Sequence, residues 1–389
     1  MNLVNCAYFQ KTTVMKRITS NIGGYKGILY RACVTLIFIV VLQIIPQDIF
    51  AQEHEHSGLI KEDLASLRYS FPISEDWSND NLASAMLYAQ EIGSSAVIVM
   101  HDGKLVLEWG KTNIRMWSHS VRKSLLNALY GIAVEKGLID VKTTIADLGI
   151  DDRPPKLSEQ EKQATILDLL QSRSGIYHEA SSESEYMKRG RPSRDVFRPG
   201  EHWYYNNWDF NVLGTIFELK TDTPIGQAFK EWIADPIGMQ DFRVEDVHYK
   251  WERVSLYPAF PFWISARDLA RFGQLFLQLG KWQNQQVIPE DWIHASTFPY
   301  SKAYDDIGYG LMWWTHSSGA YYAHGYRGQF VVIIPDLKIV IVSRVFSGTP
   351  SMDCLSDKVI EELKPFVQSV GRQQMKRLVD LILAAMPSS

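Results

Sequence analysis

Ser120 and Lys123, in the run Ser120-Val121-Arg122-Lys123, are of types and at a spacing that can do chemistry together. A serine hydroxyl is a weak nucleophile until a neighbouring base takes its proton. A lysine amine serves as that base when burial and nearby donors keep it neutral. A polar run at residues 111–113 precedes the pair, and Leu125, Leu126, Leu129, Ile132 and Ala133 follow it at helical spacing. That pattern puts Ser120 in the first turn of a helix and Lys123 one turn later on the same face. The helix N-terminus favours negative charge developing near Ser120. A bare S-x-x-K also describes a solvated helix start with Ser118 or Ser120 as N-cap, so its weight depends on partners further along the chain.

Two such partners follow in order. Tyr205-Asn206-Asn207 is a Tyr-x-Asn, and Gly325, in Ala323-His324-Gly325-Tyr326-Arg327-Gly328-Gln329, sits at a glycine-rich bend between β-rich runs. A phenol normally titrates near ~10, so a tyrosine proton carrier needs a positive neighbour to work at neutral pH. Trp203 and Tyr204 flank Tyr205, and a core-aromatic role fits them. Ser174-Gly175 has no base spaced for it and reads as a helix C-terminal turn. Asp268, between Arg267 and Arg271, reads as a structural ion pair.

The elements that must position these residues can be read coarsely. Residues 81–92 form an amphipathic helix with Leu82, Ala85, Met86 and Ala89 on one face. Residues 95–100 and 105–109 flank Asp102-Gly103 as a hairpin. The Ser120 helix ends near Lys136-Gly137. Short helices are expected at 165–176, 210–219 and 225–233. A further helix starts after Ser265 as N-cap. Residues 181–198 read as a polar surface loop over the site. Strands are expected at 308–314, at 321–334 around a tight bend, and at 338–344, with closing helices at 360–367 and 374–385. This order predicts an α+β fold: one antiparallel sheet from residues 80–136 and 300–389, flanked by helices, with a helical and loop-rich insert at 137–299.

The 389 residues carry a net charge of −4, which gives no bulk attraction to nucleic acid. Twelve Trp, 18 Tyr and 17 Phe suit a large core and an aromatic-lined cleft. Residues 1–51 read as a secretory signal peptide or an uncleaved N-terminal anchor. Lys11, Lys16, Arg17, Lys26 and Arg31 precede an apolar run at 32–45, which Pro46 ends. The run is short against the roughly 20 residues of a membrane span. Residues 52–389 then form the exported domain, periplasmic or secreted. Of Cys6, Cys33 and Cys354, only the last survives removal of the leader, so no internal disulfide is expected. His54 and His56 read as a solvated linker. No metal and no cofactor are expected.

The motif order and its flanking blocks resemble the serine β-lactamase and penicillin-binding-protein family. The similarity is greatest to a class C-related branch that includes esterases, D-aminopeptidases and aminohexanoate-oligomer hydrolases. Residues 165–175 resemble that branch's T-I-x-x-L-L-x-x-x-S-G block, residues 199–214 its P-G-x-x-F-x-Y-S-N…L-G block, with Asn206 where the branch often has Ser, and residues 265–273 its A-R-D-L-A-R-F-G helix. The resemblance implies a β-lactamase/transpeptidase-like fold and a serine hydrolase working through an acyl-enzyme. Ser120 would be the nucleophile, Lys123 its base and Tyr205 a second proton carrier aided by the charge of Lys123. The backbone N–H groups of Ser120 and Tyr326 would form the oxyanion hole, with Gly325 permitting close approach. Asn207 would orient Lys123 or a substrate carbonyl, and Asn206 would turn the chain. Where that family usually has Lys-Thr-Gly or His-Thr-Gly, this chain has His324-Gly325-Tyr326, which puts efficient β-lactam hydrolysis in doubt. His324 is either a weak anion contact or a partly buried strand residue, and Arg327 either a carboxylate ligand or a solvated turn residue. The implied substrate is a small ester, amide or peptide-like molecule. The rival readings are a class C-type β-lactamase and a penicillin-binding module with little turnover.

Overall fold

Apolar β-branched runs build the centre of the molecule. Val97-Ile98-Val99, Val331-Val332-Ile333 and Ile339-Val340-Ile341-Val342 are all buried, as expected of strands covered on both faces. The computed structural model describes residues 76–350 and 369–387. The leader, Cys354, the His54/His56 segment and the expected helix at 360–367 lie outside the described residues.

In chain order the elements are α1 (Asn79–Glu91), β1 (Ala96–His101), β2 (Lys104–Gly110), β3 (Met116–Trp117), α2 (Val121–Glu135), α3 (Ile166–Leu170), α4 (Glu185–Gly190), α5 (Asn207–Thr221) and α6 (Ile225–Phe229). There follow β4 (Trp263–Ile264), α7 (Ala266–Leu277), β5 (Lys281–Trp282), β6 (Gln285–Gln286), α8 (Glu290–Thr297), β7 (Ser301–Tyr304), β8 (Ile307–Tyr309) and β9 (Trp314–His316). The last are β10 (Tyr321–Gly325), β11 (Gln329–Ile334), β12 (Ile339–Arg344) and α9 (Arg372–Leu383).

The main sheet has eight strands in the order β2-β1-β12-β11-β10-β9-β8-β7. Every pairing in it is antiparallel. The hairpin turn holds Asp102 and Gly103 at φ 47° and 75°, as a two-residue turn with right-handed twist requires. Ala96↔Arg344 pairing joins the two ends of the chain into one sheet. Helix α2 is buried from Val121 to Ala133. It packs against β10, β11, α5, α6 and α8, so it is buried nearly all round, its polar Arg122, Lys123, Ser124 and Asn127 included. Helices α1 and α9 pack together.

The structure corrects several expectations. Residues 308–314 form two strands rather than one. The backbone leaves the sheet between them because Leu311 N–H donates to Ser296 O and Met312 N–H to Leu170 O, with Met312 at φ 59°. Residues 301–304, outside the expected strands, form edge strand β7, whose residues are alternately half-buried and exposed. The 181–198 segment includes helix α4, capped by Ser184. Helix α7 lies within the 137–299 stretch yet packs on β1, β11 and β12. Asp268 forms no ion pair with Arg267. Its carboxylate accepts the N–H groups of Gln240, Asp241 and Phe242, while Arg267 pairs with Asp241.

Candidate active site

Ser120 occupies the N-cap position of α2 with helical backbone angles and makes no side-chain cap bond, so its hydroxyl is left for other work. Lys123 Nζ lies 2.8 Å from Ser120 Oγ. Helix geometry explains the contact, since residues three apart share a face. The same hydroxyl is hydrogen-bonded to the Tyr205 phenol. Asn206 accepts the N–H of Trp208 at the start of α5, which sets the turn that carries Tyr205. One alcohol, one amine and one phenol thus meet, although 82 residues separate Lys123 from Tyr205.

Electrostatics separate their roles. Lys123 is 2% exposed, and its Nζ lies 4.7 Å from the ring centroids of both Tyr205 and Phe210. Burial, then the charge of Arg122, hold its amine well below the usual lysine range. Tyr205 moves the other way: burial pushes its phenol up to about 12, against a hydrogen bond from Ser120 and the charge of Arg122. Burial therefore moves the two groups in opposite directions, the Lys123 amine down and the Tyr205 phenol up.

Strand β10 closes the other side. A Cβ on Gly325 would lie 2.3 Å from Ser118 O and 3.1 Å from Ser120 N, so only glycine lets the strand come this near. The amides of Ser120 and Tyr326 have no backbone acceptor among the described residues. Both N–H groups are thus uncommitted to the backbone, one condition for an oxyanion hole. His119, at φ 48°, stacks on Trp117 at 4.4 Å and meets the Tyr326 ring edge-on at 5.6 Å. Arg344, fully buried on β12, donates to the carbonyls of Met116, Trp117 and Ile264. It thereby fixes the strand that leads into Ser120. Gln329 of the Gly-x-x-Gly-Gln run accepts from Arg344 and donates to Val345 O.

Asn207 and His324, the two candidate substrate contacts, each engage the protein itself. Asn207 does not bond Lys123: its Nδ2 donates to Ser182 O at 2.7 Å and ties the covering loop to α5, which leaves only its buried Oδ1 uncommitted. His324 stacks on Phe330 at 4.3 Å. Burial, then Arg372 and Lys123, bring it down to about 4, so it offers no cation at neutral pH. Arg327 adopts φ 64° in the β10–β11 turn. Ser174 donates to Asp209 at 2.6 Å and stays structural.

The sequence reading missed the cation nearest His324, which comes from the last helix. Arg372 lies over the Tyr304 ring at 4.3 Å and bonds Tyr322. Tyr205, Tyr304 and Tyr322 all stack on Trp314, forming an aromatic wall that the high aromatic content foreshadowed without locating.

A sequence model described as Beta-lactamase matches residues 79–353. A Bacteroides dorei protein described as a provisional β-lactamase superposes with a TM-score of 0.58 at 14% identity, covering 79% of this chain and 99% of its own. A Bacillus anthracis protein named provisionally as a 6-aminohexanoate-dimer hydrolase gives 0.55 at 19% identity, covering 78% and 83%. A penicillin-binding protein from Bacillus halodurans gives 0.53 at 15% identity, covering 72% and 99%. A protein of uncharacterised function from Alkalihalophilus pseudofirmus is 23% identical over 309 residues, 67% of this chain and 86% of its own. With a family match over most of its length and this fold, the chain belongs to the beta-lactamase family of serine hydrolases.

Proposed function

We propose that the protein is an exported serine hydrolase that cleaves an ester, amide or peptide-like bond through an acyl-enzyme on Ser120. The observation that carries this reading is the 2.8 Å approach of Ser120 Oγ to a buried Lys123 amine, whose proton affinity burial lowers. In the first half-reaction Lys123 takes the hydroxyl proton as Oγ attacks the carbonyl carbon. The amides of Ser120 and Tyr326 receive the oxyanion, a contribution of about 3 kcal/mol for such a donor. The carbon–oxygen or carbon–nitrogen bond then breaks. The leaving group takes its proton from the Tyr205 phenol, and the proton that Lys123 took from Ser120 returns directly to the phenolate beside it. Water attacks the acyl carbon by the reverse proton path and frees Ser120.

The neutral His324 and the missing strand lysine favour esters and amides without an essential carboxylate over β-lactams. The relative named for 6-aminohexanoate-dimer hydrolysis makes ω-amino-acid amides worth including. Arg372 at the cleft edge is the one feature that favours β-lactam turnover as a second reading. The test is a panel of p-nitrophenyl esters, D-amino-acid amides, 6-aminohexanoate dimer and β-lactams against wild type and Ser120→Ala. Turnover of an ester or amide by wild type alone is expected. Equal turnover by both proteins would overturn the reading, and a stable penicillin adduct without any turnover would point to a binding module.

A further inference from the structure

Arg122, the third residue of the S-x-x-K run, is buried at 5% exposure. Its Nη2 donates to Asn211 Oδ1 at 2.7 Å, and its guanidinium lies 4.0 Å from the Phe260 ring centroid. Its Nη1 is buried without a hydrogen-bond partner. Asn211 is itself committed, donating to Ser181 O at 3.0 Å. No carboxylate balances Arg122 or Lys123 among the described residues. Two basic side chains on consecutive residues are therefore both buried against aromatic rings, Arg122 over Phe260 and Lys123 against Tyr205 and Phe210. A buried charge normally needs a partner. Where two cations share one such site, the weaker base gives up its proton, and a guanidinium is the stronger base.

We propose that Arg122 is a positioning residue that sets where the proton sits: a buried cation with no carboxylate partner whose field disfavours a second positive charge on the neighbouring Lys123. The other titratable groups around Lys123 do not replace or cancel it. His119, ahead of α2, and His324, on β10, are held down to about 3 and about 4 and carry no charge at neutral pH. The Tyr205 and Tyr309 phenols and the Asp209 carboxyl on α5 are all pushed up by burial, and none of them acts by charge on Lys123. Tyr304 on β7 faces Tyr205, not Lys123. Arg327 and Arg344 act on His119, and Arg372 on His324. Arg122 is the one cation acting directly on Lys123, by charge alone. It also acts on Tyr205, easing transfer of the phenolic proton.

The inference rests on Lys123 as proton acceptor, but its first test does not use turnover. Lysine-¹⁵N NMR on the full chain, with the Lys123 signal assigned by its loss in Lys123→Met, gives the titration midpoint in wild type, Arg122→Gln and Arg122→Lys. The midpoint is expected below the ordinary ~10.4 in wild type and about one pH unit higher in Arg122→Gln, a tenfold smaller neutral fraction below it. Arg122→Lys should fall between. The acid limb of kcat/KM for an ester should move with the midpoint, while the high-pH plateau changes only a few-fold. If Arg122→Gln does not fold, Asn211→Asp places a carboxylate on the guanidinium and should produce the same upward shift. An ordinary Lys123 midpoint in wild type, or an unmoved midpoint and limb in the variants, overturns the proposal. A shifted midpoint in a protein whose Ser120→Ala variant still turns over esters would leave the proton lock standing and sink the hydrolase reading. The converse pair of results would do the opposite.

Discussion

On one side of Ser120, α2 and the segment before α5 bury Lys123, Arg122 and Tyr205 among aromatic rings, with no carboxylate balancing either cation. On the other, β10 and α9 bring up backbone amides, a neutral His324, and the exposed Tyr326 and Arg372. In the proposed mechanism the first wall handles protons, and burial is its instrument, because removing water moves an amine down and a phenol up. The second wall would receive the substrate, and its instruments are a missing Cβ and N–H groups without backbone acceptors. The difference teaches that the proposed proton-carrying side depends on charge and burial, whereas the proposed oxyanion side depends on position.

Changes that break the proton wall should cost most. Lys123→Ala removes the base and should lower kcat/KM for an ester by about 10³-fold or more at pH 7, read in steady-state kinetics on a variant with unchanged melting temperature. Gly325→Ala tests the opposite wall. Its Cβ would collide with Ser118 O and push the Tyr326 amide away, so kcat should fall by about 10²-fold with KM little changed. A loss confined to KM would mean that the strand only positions substrate. Arg372→Ala should change neutral esters little and raise KM by about tenfold for substrates bearing a carboxylate. Equal effects on both classes would remove Arg372 from the substrate wall.

The smallest effect concerns stability. His119 and His324 have folded values of about 3 and about 4 against ~6.5 unfolded. A base depressed on folding binds fewer protons folded than unfolded between those values, so stability rises with pH there. The contribution is complete above pH ~6.5 and is lost as pH falls towards 4. Thermal melts from pH 7 to 4.5 should drop, and His324→Phe should flatten part of that drop.

Local signals carried much of this into the sequence. Ser120 and Lys123 were legible because a helix brings residues three apart together. Gly325 was legible because a glycine at a strand bend marks close approach. Tyr205 depended on the blocks around it, since Trp203 and Tyr204 look equivalent in composition. What could not be read depends on distant partners. Nothing near Arg122 says that it lacks an acid, because Asn211 and Phe260, far along the chain, decide that. Nothing near Asn207 says that its amide is committed to Ser182. The split of β8 from β9 is set by acceptors on Ser296 and Leu170, and no periodicity encodes them.

The most direct test of the central claim is acid-quenched peptide mapping after brief exposure to a p-nitrophenyl ester. The account predicts an acyl mass on the peptide that carries Ser120, formed with a burst of nitrophenol and absent from Ser120→Ala. Turnover without a burst or adduct at Ser120, or an adduct on another residue such as Ser174, would contradict it.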